Sequence, residues 1–412
     1  MRWGPPGSVA LPSYRWVIAA VFWSTESATF IVSMTLGIML PRITQDLSLT
    51  PLQGGSLASV QQLATVLLAL ASATWIPRYN PRLVGTVAVS AAAAMLFGEG
   101  WAPTYVVFLV VCFLYAVAVV ISRTVSDLLR LQWFTTGEMA LIYGMGSALR
   151  TVAQGVGMAS VSFLMVALGG WRNTFHLYGL LFVAMAVPWV ALARERKTEE
   201  YQARMAAQEV APIRVAMGYR EIWLLGGGIA ALSLAFNAFY TFWPTFLVNR
   251  YQFPLATAGL IMALHPFGSV AASFGGGILS DRLGLRRPFL LVSALGCPVT
   301  YLAMIITPSV PLLAFFAFIS GFLLYVSNPA SHAIPFELPR IKPKEVVMAN
   351  ALLMTVLQTG SVVGPFLTGF IYQTSGSLFG ALAVVSLFPF LLALVTRFLP
   401  ETGWRARRGE TA

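Results

Sequence analysis

Twelve long apolar segments run through the 412-residue chain and limit what it can fold into. A bilayer core takes roughly 20 consecutive apolar residues in a helix. Six segments lie at 15–40, 52–76, 83–102, 104–130, 139–168 and 172–193, and six at 221–248, 254–280, 287–307, 310–336, 346–373 and 377–398. Backbone groups in lipid must be satisfied within each segment, and the alternating pattern of barrel strands is absent. The sequence therefore predicts an all-α membrane protein with twelve transmembrane helices.

A polar stretch separates the two sets of six segments. We predict a first six-helix bundle at 1–193, a cytoplasmic linker at 194–220, and a second six-helix bundle with a short tail at 221–412. Only 10% of the residues are charged and 58% are hydrophobic, which excludes an ordinary soluble protein. Cys112 and Cys297 lie inside apolar segments, so we expect neither a disulfide framework nor a metal site, and no cofactor.

The formal net charge is +11, from 26 Lys and Arg against 15 Asp and Glu. Positive residues stay on the cytoplasmic side of a membrane protein. With a cytoplasmic amino terminus, twenty-one of these cations, Arg130 among them, fall on that side and only Arg42, Arg172 and Arg250 on the other. The first apolar segment is a full span with no cleavable signal. We therefore expect a multi-pass protein of the plasma (inner) membrane with both termini cytoplasmic, and no nucleic-acid partner.

The loop after the eighth segment carries a defined pattern. It reads Gly277-Ile-Leu-Ser-Asp281-Arg282-Leu-Gly284-Leu-Arg286-Arg287. This loop resembles the signature loop of the major facilitator superfamily at every defining position. An acidic residue at a helix end can meet a helix N-terminus and basic groups, which makes a conformational latch. A basic loop with turn glycines is the alternative. The matching loop of the first half keeps Arg78 and Arg82, which we also assign to a latch, but has Pro77 where the acid belongs.

Further pieces resemble the same family over nearly the whole chain. They are Trp133-Phe134 with Glu138 and Ala140, Gly170-Trp171-Arg172 with Phe175, and Pro339 with Glu345 and Ala349-Asn350. The chain is identified as a member of the major facilitator superfamily. The resemblance implies two pseudo-symmetric bundles, a monomer surrounded by membrane lipid, and a small-molecule substrate bound near the midplane between the halves.

Four ionisable residues lie at a similar depth inside the membrane. At 1.5 Å per residue, Glu26, Arg123, Arg150 and His265 are about 15 to 18 Å from the start or end of their segments. Charged groups at this depth are costly, so they usually line a cavity, pair with one another or mark a transport path. We assign Arg123 and Arg150 to substrate binding, and Glu26 and His265 to proton coupling.

Structural roles stay open for the two arginines. Arg123, Asp127 and Arg130 are spaced to form an ion-pair ladder on one helix face without any substrate. Arg150 has no acid within one turn of its own helix, which leaves Glu26, Asp127 or an anionic substrate as its counter-ion.

The two proton candidates have alternatives as well. Glu26 lies in a polar break, Ser24-Thr25-Glu26-Ser27, where a carboxyl suits proton exchange but equally suits a structural partner for arginine. His265 can carry a proton, or can line a cavity at a kink next to Pro266.

Polar and aromatic residues at similar depth are further candidates for substrate contacts. They are Gln61 and its neighbour Gln62, Gln154, Asn237, Tyr240, Trp243 and Gln358. The aromatic run from Phe236 to Trp243 is either a gate or a set of anchors at the membrane interface.

The leading functional hypothesis is a secondary transporter that works by alternating access. Its expected solute is small and organic, with a carboxylate or other anion favoured because guanidinium groups bind carboxylates bidentately. Protons are the expected coupling ion, with symport as the mode. The alternatives are a proton-driven exporter of drugs or hydrophobic compounds, and a transporter-like membrane receptor. No P-loop, nucleophile elbow or metal-ligand spacing occurs, so we expect no enzyme activity.

Overall fold

The computed structural model describes residues 14–196, 213–338 and 341–407. Twelve long helices, labelled α1 to α12, confirm the predicted all-α architecture and follow the predicted segments within a few residues at most ends. They are Tyr14–Asp46, Pro51–Trp75, Pro81–Trp101, Tyr105–Trp133, Met139–Ala167, Trp171–Leu192, Arg220–Tyr251, Leu255–Leu283, Arg287–Ile306, Val310–Glu337, Pro343–Ser375 and Leu378–Thr396. Most of the predicted linker, at 197–212, lies outside the described residues, as do Pro339 and Arg340. The predicted domain boundaries therefore stay predictions.

Eleven of the described helices are long and apolar enough to cross a membrane. The twelfth, α2, has 25 residues and is about 37 Å long, which is sufficient to cross the core of a bilayer. Its amino end is fixed by Thr50 and Gln53, whose side chains each accept a hydrogen bond from the other's backbone N–H.

Three of the helices are interrupted, and a proline follows each interruption. α8 breaks at Ala263, α10 after Tyr325 and α12 after Ser386, and Pro266, Pro329 and Pro389 come three to four residues later. Proline has no N–H to donate to the carbonyl four residues back, and its ring crowds that carbonyl. The kink predicted beside His265 is therefore present in α8.

Glycines let neighbouring helices of the second half approach closely. A side chain at Gly360 or Gly364 of α11 would collide with the carbonyl oxygen of Ala230 or Leu234 of α7. Small residues at such crossings bring two helix backbones into direct contact. This contact holds α11, which faces the first half, rigidly on α7.

The two halves meet toward one end of the molecule. We call the end where α1 begins and where Arg78 and Arg287 lie the basic end, and the end where α2 begins the far end. Within the described ranges, the hydrogen bonds between the halves join Leu52 to Gln373 at 3.3 Å, Ser59 to the carbonyl of Val362 at 2.6 Å, Ser162 to the carbonyl of Leu255 at 3.0 Å, and Gln62 to Gln358. These contacts lie between the far end and the middle.

Toward the basic end, the first half carries a long solvent-accessible stretch. In α5, Leu141 is 55% exposed and Leu149 is 45% exposed, and Tyr143 and Met145 between them are exposed as well. These positions cover several sides of the helix. Among the described residues, the hydrogen bonds between the halves therefore lie from the far end to the middle, and none joins the halves at the basic end.

Candidate functional site

Glu26 is held between two arginines near the middle of the first half. One carboxylate oxygen accepts a hydrogen bond from Arg130, and the other accepts one from Nη1 of Arg150 at 2.9 Å. The Glu26 side chain is 7% exposed and that of Arg130 is 2% exposed, whereas that of Arg150 reaches 18%. Of the two arginines, Arg150 is therefore the more accessible.

The position predicted for Arg130 is wrong. The charge count placed it among the cytoplasmic loops, but it lies buried in the last turn of α4. It also pairs with Asp127 at 2.7 Å and packs on the rings of Phe22 and Tyr143. α4 extends to Trp133, three residues beyond the predicted end, which carries Arg130 inside the bundle. When Arg130 is left out of the count, the side predicted to be cytoplasmic still carries most of the Lys and Arg residues.

The predicted ion-pair ladder forms only in part. Asp127 bonds Arg130, but in the described part of the chain no hydrogen bond or ion pair joins Asp127 to Arg123. Arg123 is exposed, and its positive charge acts on Arg150. Three arginines and two acids, Glu26 and Asp127, therefore make a cluster with one excess positive charge.

His265 lies in the second half, behind an aromatic wall. It is 5% exposed, and its ring contacts Phe236 and Tyr240, with centroids 5.2 and 5.0 Å away. Neither ring nitrogen has a hydrogen-bond partner among the described residues, and the same holds for the hydroxyls of Tyr240 and Tyr301. Buried polar atoms normally have a hydrogen-bond partner, so these four atoms are candidates to bind a small molecule or water.

A small cavity of about 20 Å³, with room for about one water molecule, adjoins these unpaired groups. It is lined by Phe239, Tyr240, Trp243, Met262, His265, Tyr301, Met304, Ala317 and Ser320. Trp243 is itself fixed by a 3.3 Å hydrogen bond from its indole nitrogen to the carbonyl of Met304. The wall is thus mainly apolar, with a few polar groups pointing inward.

Two side chains link the aromatic cavity to the arginine cluster. Tyr325 packs edge-on against His265, with centroids 6.5 Å apart, and lies within electrostatic reach of Arg150. Gln154, one turn beyond Arg150 in α5, faces the Tyr240 hydroxyl without a hydrogen bond of ordinary geometry. The midplane candidates from the two halves therefore meet in one region.

The adjacent glutamines of α2 point in different directions. Gln62 accepts a hydrogen bond from Gln358 of α11 and so lies in the interface between the halves. Gln61, which we expected to contact substrate, is instead buried beside Cys112 inside the first half. Successive helix residues point about 100° apart, so only one of the pair can face the interface. This corrects the predicted position of Gln61.

Asn237 of α7 is partly buried and mainly satisfied by its own helix. Its amide nitrogen donates to the carbonyl of Ser233 at 2.9 Å, and the Ser233 hydroxyl meets that of Ser361 at 2.7 Å. A structural role in holding α7 to α11 accounts for these contacts.

The signature loop of the second half, which we expect to act as a conformational latch, forms an ion-pair cluster around Arg286. Arg286 bonds Asp281 at 2.8 Å and Glu337 at 2.7 Å, and also the Ser280 hydroxyl. The hydrogen bonds with Glu337 raise the pKa of the Arg286 guanidinium above its ordinary value. Gly284 ends α8 in the left-handed region, with φ of 63°, a conformation that favours glycine. Among the remaining motif residues, Gly277 contacts Pro329 and Arg282 is exposed.

The tail after α12 completes this latch. Glu401 accepts hydrogen bonds from the backbone N–H groups of Arg286 and Arg287, at 2.6 and 3.0 Å, and so caps the start of α9. Trp404 donates to the carbonyl of Asp281 at 2.9 Å. In the first half, Arg82 donates to the carbonyl of Val190 and Arg78 is exposed, so no acidic latch matches this one among the described residues there.

Several residues at these sites were not singled out from the sequence. They are Tyr301, Tyr325, Glu337 and Glu401. Glu337 reaches Arg286 from α10 and Glu401 reaches it from the tail after α12, a distance in sequence that no spacing rule covers.

Comparisons with known proteins agree with this architecture. The sequence model of the Major Facilitator Superfamily matches residues 22–264 and 225–411. The "Hexuronate transporter" of Bacillus subtilis is 23% identical over 88% of this chain and 90% of its own length. The "Probable nitrate/nitrite antiporter NarK1" of Thermus thermophilus is 26% identical over 65% of this chain and 62% of its length. The "Probable sulfoacetate transporter SauU" of Cupriavidus necator is 24% identical over 62% of this chain and 68% of its length.

Solved structures share the fold. A bacterial homologue of the human lysosomal transporter Spinster, in an inward-facing and unoccupied conformation, superposes with a TM-score of 0.74. It is 18% identical, and the match covers 94% of this chain and 95% of that one. The nucleoside transporter NupG superposes with a TM-score of 0.71 at 13% identity, over 94% of this chain and 98% of that one. The chain is a multi-pass membrane transporter and belongs to the Major Facilitator Superfamily.

Proposed function

We propose that this chain carries a small organic anion across the membrane by alternating access, in symport with protons. The observation that carries the proposal is the bridge from Glu26 to the buried Arg130 and to the partly exposed Arg150. A charge buried at this depth is costly unless it is paired or used. Arg150 is both paired and accessible, so it is the group that can exchange its partner.

The charge balance of the cluster favours an anion. Two acids against three arginines leave an excess positive charge, and Arg123 has no ion-pair partner within the described ranges. An anionic solute neutralises this excess, whereas a cationic solute adds to it. The names of several relatives point the same way, because hexuronate, nitrate, nitrite and sulfoacetate are anions.

A proton on Glu26 would couple to solute binding through Arg150. While Glu26 is ionised, it holds Arg150 by the 2.9 Å hydrogen bond. Protonation weakens that ion pair and frees the guanidinium for a carboxylate of the solute, which can accept two parallel hydrogen bonds. Proton and anion then bind together, as symport requires. His265, between Tyr240 and Tyr325, contacts the other end of the solute and stays a second candidate proton carrier.

The contacts between the halves support alternating access. Among the described residues, hydrogen bonds join the halves from the far end to the middle and none joins them at the basic end, which the charge count assigns to the cytoplasm. We assign this conformation to the inward-facing state. Rocking of the two bodies 1–193 and 221–412 around the midplane would close the basic end and open the far end.

Counterflow into proteoliposomes tests the proposal. We expect the purified protein to exchange radiolabelled carboxylates or sulfonates, with neutral sugars and lipophilic cations giving no signal. Arg150→Gln should abolish exchange, whereas Arg250→Gln, at an exposed residue near the far end, should retain it. Exchange of lipophilic cations alone would instead support the exporter, which the aromatic cavity beside His265 favours.

A further inference from the structure

A second buried carboxyl lies in the first half, away from Glu26. Glu99 occupies the last turn of α3, near the far end, and no part of it is exposed. Neither carboxyl oxygen has a hydrogen-bond partner within the described part of the chain. Burying an ionised carboxylate without a partner is unfavourable, and a native structure that contains such a group calls for an explanation.

The groups around Glu99 are polar and also unsatisfied. The Cys112 thiol of α4 lies close to both Glu99 and Gln61 of α2. The amide nitrogen of Gln61 and the hydroxyl of Tyr115 are buried and have no partner among the described residues. Two helices, α2 and α4, therefore direct uncharged polar groups toward one acid. Such a site accommodates a neutral carboxylic acid better than its anion.

The titratable side chains of α6 near this site contact other groups and not Glu99. Arg172 of α6 donates to the carbonyls of Gly100 and Ala102, at 3.3 and 2.7 Å. His176 stacks on the rings of Phe97 and Trp101, and Tyr178 bonds Thr35 at 3.2 Å. The 3₁₀ turn that contains Arg78 lies at the other end of α3. In the described ranges, no basic side chain forms an ion pair with Glu99.

We propose that Glu99 is a second proton-binding site of the transporter, loaded in the conformation seen here. The proposal rests on the proposed proton symport, to which it adds a second proton per solute. It assigns Glu99 as the acid, kept neutral by its burial, with Gln61, Cys112 and Tyr115 as the uncharged polar groups around it.

The helix that covers Glu99 also forms the interface between the halves. Gln61 faces the Glu99 site, and the next residue, Gln62, bonds Gln358 across the interface. Opening of the far end must break the bond to Gln358 and displace this turn of α2. Water then reaches the acid from the far side, so proton exchange at Glu99 follows the conformational change.

A polar route also leads from this site toward Glu26. Tyr115 faces Ser33 of α1. Ser33 lies seven residues after Glu26, which places both on the same face of α1, about 10 Å apart. The two acids therefore share one water-accessible path when the far end opens.

Steady-state accumulation measures the number of coupled protons. With the membrane potential clamped at zero, each coupled proton permits about tenfold accumulation per unit of pH gradient. We expect about 100-fold for the wild type and about tenfold for Glu99→Gln at a gradient of one unit. Glu138→Gln, which removes an acid paired with Arg15 outside the site, should keep the wild-type ratio.

The two proposals fail in different ways. A wild type that exchanges anions but shows no pH-driven accumulation contradicts proton symport itself. A wild type that accumulates solute, with Glu99→Gln reaching the same ratio, contradicts only the second proton site.

Infrared spectroscopy of the purified protein gives a test that needs no transport. We expect the carbonyl band of a protonated carboxylic acid in the wild type at neutral pH, because Glu99 alone among the buried acids described lacks a basic or hydrogen-bonding partner. The band should disappear in Glu99→Gln, shift in Glu99→Asp and persist in Glu138→Gln. If Glu99→Gln does not fold, the wild type and Glu99→Asp suffice. A wild type without this band overturns the inference.

Discussion

Arg150 donates a 2.9 Å hydrogen bond to Glu26, which ties α5 to α1 in the middle of the first half. Replacement of Glu26 with Gln removes the charge that holds Arg150 and mimics the protonated state. We expect Glu26→Gln to exchange anions at a rate that no longer depends on pH, and to lose one coupled proton. Counterflow and accumulation in proteoliposomes measure the two effects.

Glu337 of the latch provides the matched control for Glu26. It is also paired with an arginine, Arg286 at 2.7 Å, but lies outside the cavity. Glu337→Gln should keep the pH dependence of the wild type. Equal pH profiles for the wild type and Glu26→Gln would exclude Glu26 as the proton carrier.

Arg130 should matter more for stability than for affinity. Its side chain is 2% exposed and bridges Glu26 and Asp127. Removing one partner of a buried ion pair leaves an uncompensated charge, which typically costs about 3–5 kcal/mol. We therefore expect Arg130→Gln to lower the unfolding temperature in detergent strongly. The surface variant Arg250→Gln should change the free energy of unfolding by less than about 0.5 kcal/mol. Equal unfolding temperatures for the two variants would contradict the buried bridge.

The Arg15–Glu138 pair should give a pH-dependent contribution to stability. Burial alone favours the neutral acid, but hydrogen bonds from Thr135 and the charge of Arg15 outweigh it and lower the pKa of Glu138. A lowered pKa contributes stability above the unfolded value of about 4.3, and that stability is lost as the pH falls through the folded pKa. The pair is partly exposed, so we expect less than about 1 kcal/mol.

Thermal unfolding of the wild type and Glu138→Gln measures this contribution. The difference in unfolding temperature should be constant between pH 8 and 6 and should shrink below about pH 4. A difference that grows on acidification would have the wrong sign for a lowered pKa.

The latch gives two arginines of the signature loop different surroundings. Arg286 bonds Asp281, Glu337 and Ser280, whereas Arg282 is exposed. We expect Arg286→Gln to destabilise the second half and to slow transport, and Arg282→Gln to behave like the wild type in both assays. A reversed order would mean that the signature loop acts through its surface charge and not through these contacts.

A cross-link at the far end tests whether transport requires that end to open. Leu52 and Gln373 lie in contact across the interface, and the native Cys112 and Cys297 are buried and unpaired. Oxidation of the double variant Leu52→Cys, Gln373→Cys should block transport, and a reductant should restore it. Either single variant, treated with the same oxidant, is the control. Full transport by the cross-linked protein would contradict alternating access.

The helices could be predicted from the sequence because their signal is local. A run of about 20 apolar residues is sufficient to define a span, and the proline positions account for the breaks in α8, α10 and α12. Glu26 was correctly included among the possible partners of Arg150, because few acids occur within the membrane segments. These inferences require only the composition of each segment and the depth of a residue within it, and both can be read from the sequence.

The remaining features depend on helix rotation and packing. Gln61 and Gln62 have the same depth, and only the rotation of α2 decides which one faces α11. Arg130 was assigned to the loops because the apolar run ends there, although α4 continues past it. Glu99 lies at the end of an apolar run, where its burial depends on three neighbouring helices. Contacts of this kind come from tertiary structure.

Because Glu26 is fixed beside Arg150, it competes with the solute for the Arg150 guanidinium. A carboxylate fixed at contact distance has an effective concentration far above that of any dissolved molecule, commonly in the millimolar range or higher. A free anion therefore cannot displace it efficiently by mass action. The apparent affinity for the solute should therefore depend on how readily Glu26 releases Arg150, and not only on the contacts that the solute itself makes.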